Sequence, residues 1–197
     1  YYPVYAMQAL GKELPQETRT RIVEFLKSCQ KPDGGFVNEP KYAPESNVIY
    51  TYYALQALEL LGAQEAVDRQ QALSYLLSLQ QPEGGFKATA GKKEKPTLAA
   101  TSYGVRSLAL LQKLDAVNKE KTAAFLAAHK EKGKGYSLRA GKFSAPQPTF
   151  MAVRTLKLLG MVPAEVIRDV KAYLRDTRYA GHVTDGQYYA LPTMQDM

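Results

Sequence analysis

The chain has 197 residues, with 26 Lys+Arg against 19 Asp+Glu, one Cys, no Trp, 14 Tyr and a formal net charge of +7. Its 45% hydrophobic and 23% charged residues mark a globular protein and exclude a disordered or fibrous one. No run approaches the roughly 18 apolar residues of a membrane-spanning helix, and a single Cys excludes an internal disulfide and a cysteine zinc cage.

The first predicted helix, near 1–10, contains Tyr5-Ala6-Met7-Gln8-Ala9-Leu10 and stops at Gly11. The next, near 17–30, opens after Pro15 and sets Ile22, Phe25, Leu26 and Cys29 at i, i+3, i+4 and i+7, one apolar stripe. It runs into Lys31-Pro32-Asp33-Gly34-Gly35-Phe36, where strong turn chemistry precedes an aromatic that plugs back between helices. Gln30, and Gln80 after it, are placed to hydrogen-bond backbone groups at the adjoining helix end. A helix near 46–61 carries Tyr53-Ala54-Leu55-Gln56-Ala57-Leu58 and stops at Gly62. One near 65–80, with Leu73, Leu76 and Leu79 on a stripe, leads into Gln81-Pro82-Glu83-Gly84-Gly85-Phe86.

The pattern returns as helices near 98–112 (Tyr103-Gly104-Val105-Arg106-Ser107-Leu108) and 118–130, followed by Lys134-Gly135-Tyr136. Helices near 148–159 (Met151 to Leu156, stopped by Gly160) and 164–176 (Val166, Val170, Tyr173, Leu174) complete the fourth copy. Tyr188-Tyr189-Ala190-Leu191 starts a fifth, for about nine helices. The related segments begin at Tyr5, Tyr53, Tyr103 and Met151, 48, 50 and 48 residues apart. Self-similarity at such a period is the signature of a repeat architecture. With no sustained period of two, the fold expected is all-α: stacked helical hairpins forming a single domain over 1–197. Tyr1 in place of Met leaves open a removed leader or an origin within a longer chain, and with it the compartment.

Phe25-Leu26-x3-Gln30-x3-Gly34-x-Phe36, and its copy ending at Phe86, resemble the repeat of protein prenyltransferase β-subunits and of squalene and other terpene cyclases. The resemblance extends from Tyr1 to about Leu191. It implies an α/α toroid, with inner helices ringing a cavity for an isoprenoid chain and outer helices around them. An enzyme of this kind would be a transferase or lyase acting on isoprenoids. Family toroids usually close with six hairpins. About four and a half repeats of 48–50 residues therefore predict an open crescent, a smaller ring, or a ring completed by further chain or a partner subunit.

The family's chemistry transfers only residue by residue. Its transferases hold zinc with Asp-x-Cys at the start of an inner helix plus a distant His. The aligned pairs here are Asn47/Ile49, Thr97/Ala99, Ala145/Gln147 and Val183/Asp185, none a match. Asp185-Gly186-Gln187-Tyr188 mimics the string locally, but Gln187 is a poor zinc ligand. Cys29 lies on a core stripe, and His129 and His182 are isolated. The Asp-x-Asp-Asp acid of the cyclases and the Gly-Cys-Gly-Glu-Gln of complement-type toroids are absent. Nothing pairs Glu39, Glu45 or Asp185 as glycosidase carboxylates would be. No metal and no cofactor are expected, and a zinc-dependent protein prenyltransferase is disfavoured.

Charge and aromatics remain. The connections after each anchor aromatic emerge on one rim, and the second and third concentrate bases there: Lys92, Lys93 and Lys95, then Arg139 and Lys142. They are either solvated loops or a mouth for a diphosphate, an acidic lipid or an acidic protein. Nucleic acid is not expected, because no aromatics interleave and no motif is present. Along the inner helices one aligned column reads Gln8, Gln56, Arg106, Arg154, and another Tyr52, Ser102, Phe150, Tyr188. Facing a lumen, they would suit an apolar ligand with an anionic head, such as an isoprenoid or another anionic amphiphile. Rotated by one residue, they lie between hairpins and mean packing. The alternative function is a non-catalytic protein-interaction scaffold using the basic rim.

Overall fold

A computed structural model describes residues 2–41, 45–91 and 93–179, and these form eight α-helices. In chain order they are α1 (Tyr2–Ala9), α2 (Gln16–Ser28), α3 (Val48–Leu60), α4 (Arg69–Leu79), α5 (Leu98–Leu110), α6 (Lys119–Ala127), α7 (Pro146–Leu159) and α8 (Ala164–Tyr179). Extended pairing among the described residues is limited to isolated bridges at the turns, such as Gln30 with Phe36 and Gln80 with Phe86. The all-α architecture follows the periodicity. The expected start of α4 near 65 falls instead at Arg69, because Gln64–Ala66 forms a separate 3-10 turn and Asp68 then caps the helix. Leu114–Ala116 does the same before α6. The fifth copy at Tyr188 lies outside the described residues.

Local chemistry sets the helix ends. Asn47, Asp68, Thr97 and Asn118 each accept a first-turn N–H into a side-chain oxygen, whereas α7 starts with Pro146 at its first position. Gly62 and Gly160 leave their helices in the left-handed region, at φ 59° and 69°. Gln112 holds the same place after α5 at φ 60° despite carrying a side chain.

Inner helices α1, α3, α5 and α7 pack side by side, and α2, α4 and α6 each pack against the inner helix that follows. The Gly-Gly turns tie the units together. A Cβ on Gly34 would lie 2.1 Å from the Gln71 carbonyl oxygen, and one on Gly84 would lie 2.3 Å from the Lys121 carbonyl carbon. Only glycine lets each turn sit this close to the next outer helix. Phe36, Phe86 and Tyr136 are buried beneath the turns. A threonine on the next inner helix receives the N–H of each anchor: Thr51 at 3.0 Å, Thr101 at 3.0 Å and Thr149 at 2.8 Å. Those hydroxyls donate in turn to carbonyls one turn back, so a buried polar column is satisfied in each of these three copies.

Gln30 takes its expected part. Its amide exchanges two hydrogen bonds with the backbone of Asp68, at 2.8 and 2.9 Å, tying the first turn to the start of α4. Lys130 replaces that glutamine in the third copy and meets Asp169 of α8 at 2.6 Å. The Lys130 ammonium holds the Asp169 carboxyl below its ordinary range. At the opposite rim Arg19 donates to the Leu61 carbonyl, and Arg69, one period on, to that of Leu110 at 3.5 Å.

Candidate functional site

The inner row converges on one cluster between α3 and α5. Tyr52 is buried, and its ring lies under the Arg106 guanidinium, whose carbon is 4.1 Å from the ring centroid. The same guanidinium donates to the Tyr52 hydroxyl, which donates in turn to Gln56 Oε1 at 2.8 Å. Tyr103 stands 5.3 Å from the Tyr52 ring, and its hydroxyl meets that of Tyr53 at 3.1 Å. Tyr53 also lies 5.4 Å from Tyr52, which completes a cluster of three aromatic rings. Tyr53, Gln56 and Arg106 are half-buried, whereas Tyr52 and Tyr103 are buried.

Helix geometry assembles these groups. Tyr52 and Gln56 are four residues apart on α3, hence on one face, and Arg106 is the repeat mate of Gln56 on the helix packed beside it. Arginine suits the place, since its planar cation stacks on a tyrosine face while keeping donors in plane. A guanidinium stacked and hydrogen-bonded in this way has a fixed orientation.

Other sequence candidates lie elsewhere. Phe150 and Arg154 form a pair on α7, with the guanidinium carbon 5.8 Å from the ring centroid. Ser102 is buried between α5 and α7, where it donates to the Met151 carbonyl at 3.3 Å and accepts from Thr155 at 3.0 Å. Gln8 is exposed on α1. Lys93, Lys95, Arg139 and Lys142 are exposed on the connections entering α5 and α7, apart from the aromatic cluster. Lys92 and Tyr188 lie outside the described residues. Tyr53 and Tyr103 are not among the site residues the sequence singles out, although both open their copies of the repeated segment one period apart, at the position Tyr5 holds in the first copy. That column was the available signal.

Zinc does not fit the described residues. Asn47 spends its Oδ1 on the Ile49 N–H at 2.8 Å, and Thr97 its hydroxyl on the Ala100 N–H at 3.1 Å. Ile49, Ala99 and Ala145 offer no donor atom. Cys29 is buried, and burial raises its thiol pKa. His129 is buried, with Nδ1 3.0 Å from the Phe125 carbonyl oxygen. Among the described residues, no three His, Cys, Asp or Glu side chains gather as a metal would require. Val183 and Asp185 lie outside them. No helix of the described residues is long and apolar enough to cross a membrane.

A sequence profile described as the prenyltransferase alpha-alpha toroid domain matches residues 1–183. The protein farnesyltransferase subunit beta of Pisum sativum is 28% identical over 67 residues, 34% of this chain and 16% of that subunit. The structure of Candida albicans protein geranylgeranyltransferase-I complexed with GGPP matches at a TM-score of 0.69 and 19% identity, covering 82% of this chain and 51% of that one. The chain thus spans about half the length of the solved structure and less of the curated relative. At such low identity, the structural match carries the fold alone.

Proposed function

Because the chain belongs to the prenyltransferase alpha-alpha toroid domain family, we propose that its inner helices form a binding site for an apolar, isoprenoid-type ligand with an anionic head, used without a zinc ion and without the acid motif of the cyclases. The observation carrying this reading is the Arg106 guanidinium fixed on the Tyr52 ring beside Tyr53 and Tyr103. The half-buried Tyr53 ring, backed by the buried Tyr52 and Tyr103, supplies apolar area for an isoprenoid tail, and Arg106 supplies charge for its head. Arg154, stacked toward Phe150 on α7, extends the same chemistry along the inner row. The fold match to a GGPP complex supports this ligand class. We take residues 1–197 as one repeat domain, whose ring is completed by further chain or by a partner. The pea relative is named a subunit, which favours a partner.

Thermal melting of the full chain with an isoprenoid diphosphate tests this reading. A ligand at a hundred times its Kd stabilises by about 2.7 kcal/mol, a rise of about 5–10 °C in Tm for a chain of this size. Arg106→Ala should abolish the preference for the diphosphate over the parent alcohol. No shift with either ligand sinks the proposal. The exposed bases of the rim favour a second reading, a non-catalytic scaffold for an acidic protein. Retention on polyglutamate without any isoprenoid shift would select it.

A further inference from the structure

The third rim connection carries a feature that the ligand site does not use. Lys142 N–H donates to the Arg139 carbonyl at 3.2 Å, closing a tight turn in which Gly141 takes φ 72°. The feet of the turn are pinned. Ser137 N–H donates to the His129 carbonyl at 2.9 Å, Ser144 N–H to Glu131 Oε2 at 2.8 Å, and Ala145 N–H to the Tyr136 carbonyl at 2.9 Å. On either side of the turn stand Leu138, 50% exposed, and Phe143, 87% exposed. Phe143 is the most exposed large apolar side chain among the described residues.

Arg139 and Lys142 are exposed in the same turn, and Lys93 and Lys95 in the connection before α5, the inner helix beside α7. The N-termini of α3, α5 and α7 open onto this rim as well, and their dipoles add to its positive character. Apolar tips held out by a pinned turn, with cations around them, match an anionic interface that has an apolar layer beneath it.

We propose that this rim docks on an anionic lipid bilayer. Leu138 and Phe143 enter the boundary between headgroups and acyl chains, while Arg139, Lys142, Lys93 and Lys95 lie among the headgroups. Neither half suffices alone: a single small apolar anchor binds membranes only marginally, and an anchor combined with a basic patch holds. Each cation near an anionic surface is worth about fivefold in affinity. An acidic protein would satisfy the charges but leave Phe143 without a partner. The inference does not depend on the inner row holding a ligand.

The full chain is floated with phosphatidylcholine vesicles, with and without phosphatidylserine. Binding is expected only with phosphatidylserine and should weaken as salt rises. Phe143→Ser should cost about tenfold, and the double variant R139E/K142E at least about 25-fold. Lys113→Glu, on the opposite rim, should change nothing, and circular dichroism checks that each variant folds. Because the chain has no tryptophan, Phe143→Trp reports insertion as a blue shift on phosphatidylserine vesicles. Absence of phosphatidylserine-dependent flotation overturns the proposal. So does flotation indifferent to Phe143→Ser, which would mean capture by charge alone and favour an acidic protein. Emission of the Phe143→Trp variant already blue-shifted in buffer overturns it too, since the tip would then be covered by the chain's own residues.

Discussion

Gln112 shows how the repeat grades its own residues. Gly62 and Gly160, one period before and after it, make the same left-handed exit from an inner helix. A side chain there costs about 1 kcal/mol through its clash with the following carbonyl. Gln112→Gly should therefore raise Tm by about 2–4 °C, and Gly62→Gln should lower it by a similar amount. An unchanged or lower melting point for Gln112→Gly would mean that the glutamine compensates through contacts of its own. The anchor tyrosine illustrates the converse, a polar group taken inside: burial pushes the Tyr136 phenol up to about 12, so it stays neutral under its turn.

Among the elements, the third turn departs from the other two in a way that can be titrated. Where the first two copies carry Pro-Asp-Gly-Gly and Pro-Glu-Gly-Gly, this one reads Glu131-Lys132-Gly133-Lys134-Gly135. Glu131 bridges the turn, accepting from Lys134 Nζ at 2.7 Å and from the Ser144 N–H. The Lys134 hydrogen bond, followed by those from Ser144, lowers its pKa from 4.5 to about 2. A carboxyl depressed in the folded state stabilises fully above its unfolded pKa, and that contribution fades as pH falls through the folded value. The clasp therefore holds at neutral pH, its contribution to stability is lost between about pH 4.5 and 2, and in the folded chain it opens as Glu131 protonates near 2. The Ser144 amide resonance should titrate with a midpoint near 2 and stay flat in Glu131→Gln. A midpoint near 4.5 would show that the clasp does not form in solution.

At the scale of the whole molecule, the described inner helix starts that the family resemblance aligns with zinc-ligand positions carry Asn47, Thr97 and Ala145. Asn47 and Thr97 are committed to backbone N–H groups, and Ala145 has nothing to offer. Dialysed protein should hold no stoichiometric zinc, and the chain alone should not prenylate a Cys-terminated peptide. One tightly held zinc per chain by metal analysis, or prenylation of the peptide, would overturn the alignment of those starts.

The sequence alone determined the repeat, its helical hairpins, the turns and the buried anchors. These features depend on chemistry local to each segment: a 3.6-residue apolar stripe, a Gly-Gly turn and an aromatic at fixed spacing. Family membership was legible for the same reason, since the repeated string survives in two near-complete copies. The tertiary structure decided which way each inner helix is turned. Tyr52 and Tyr53 differ by one residue, about 100° around α3. Only packing against α5 buries the first under Arg106 and leaves the second half-buried. It likewise set Ser102 between α5 and α7, paired Lys130 with Asp169, and gave Thr51, Thr101 and Thr149 their anchors to hold. Such contacts join residues 13 to 54 positions apart. They depend on how neighbouring helices cross and rotate, a choice made by collective packing that no single segment encodes.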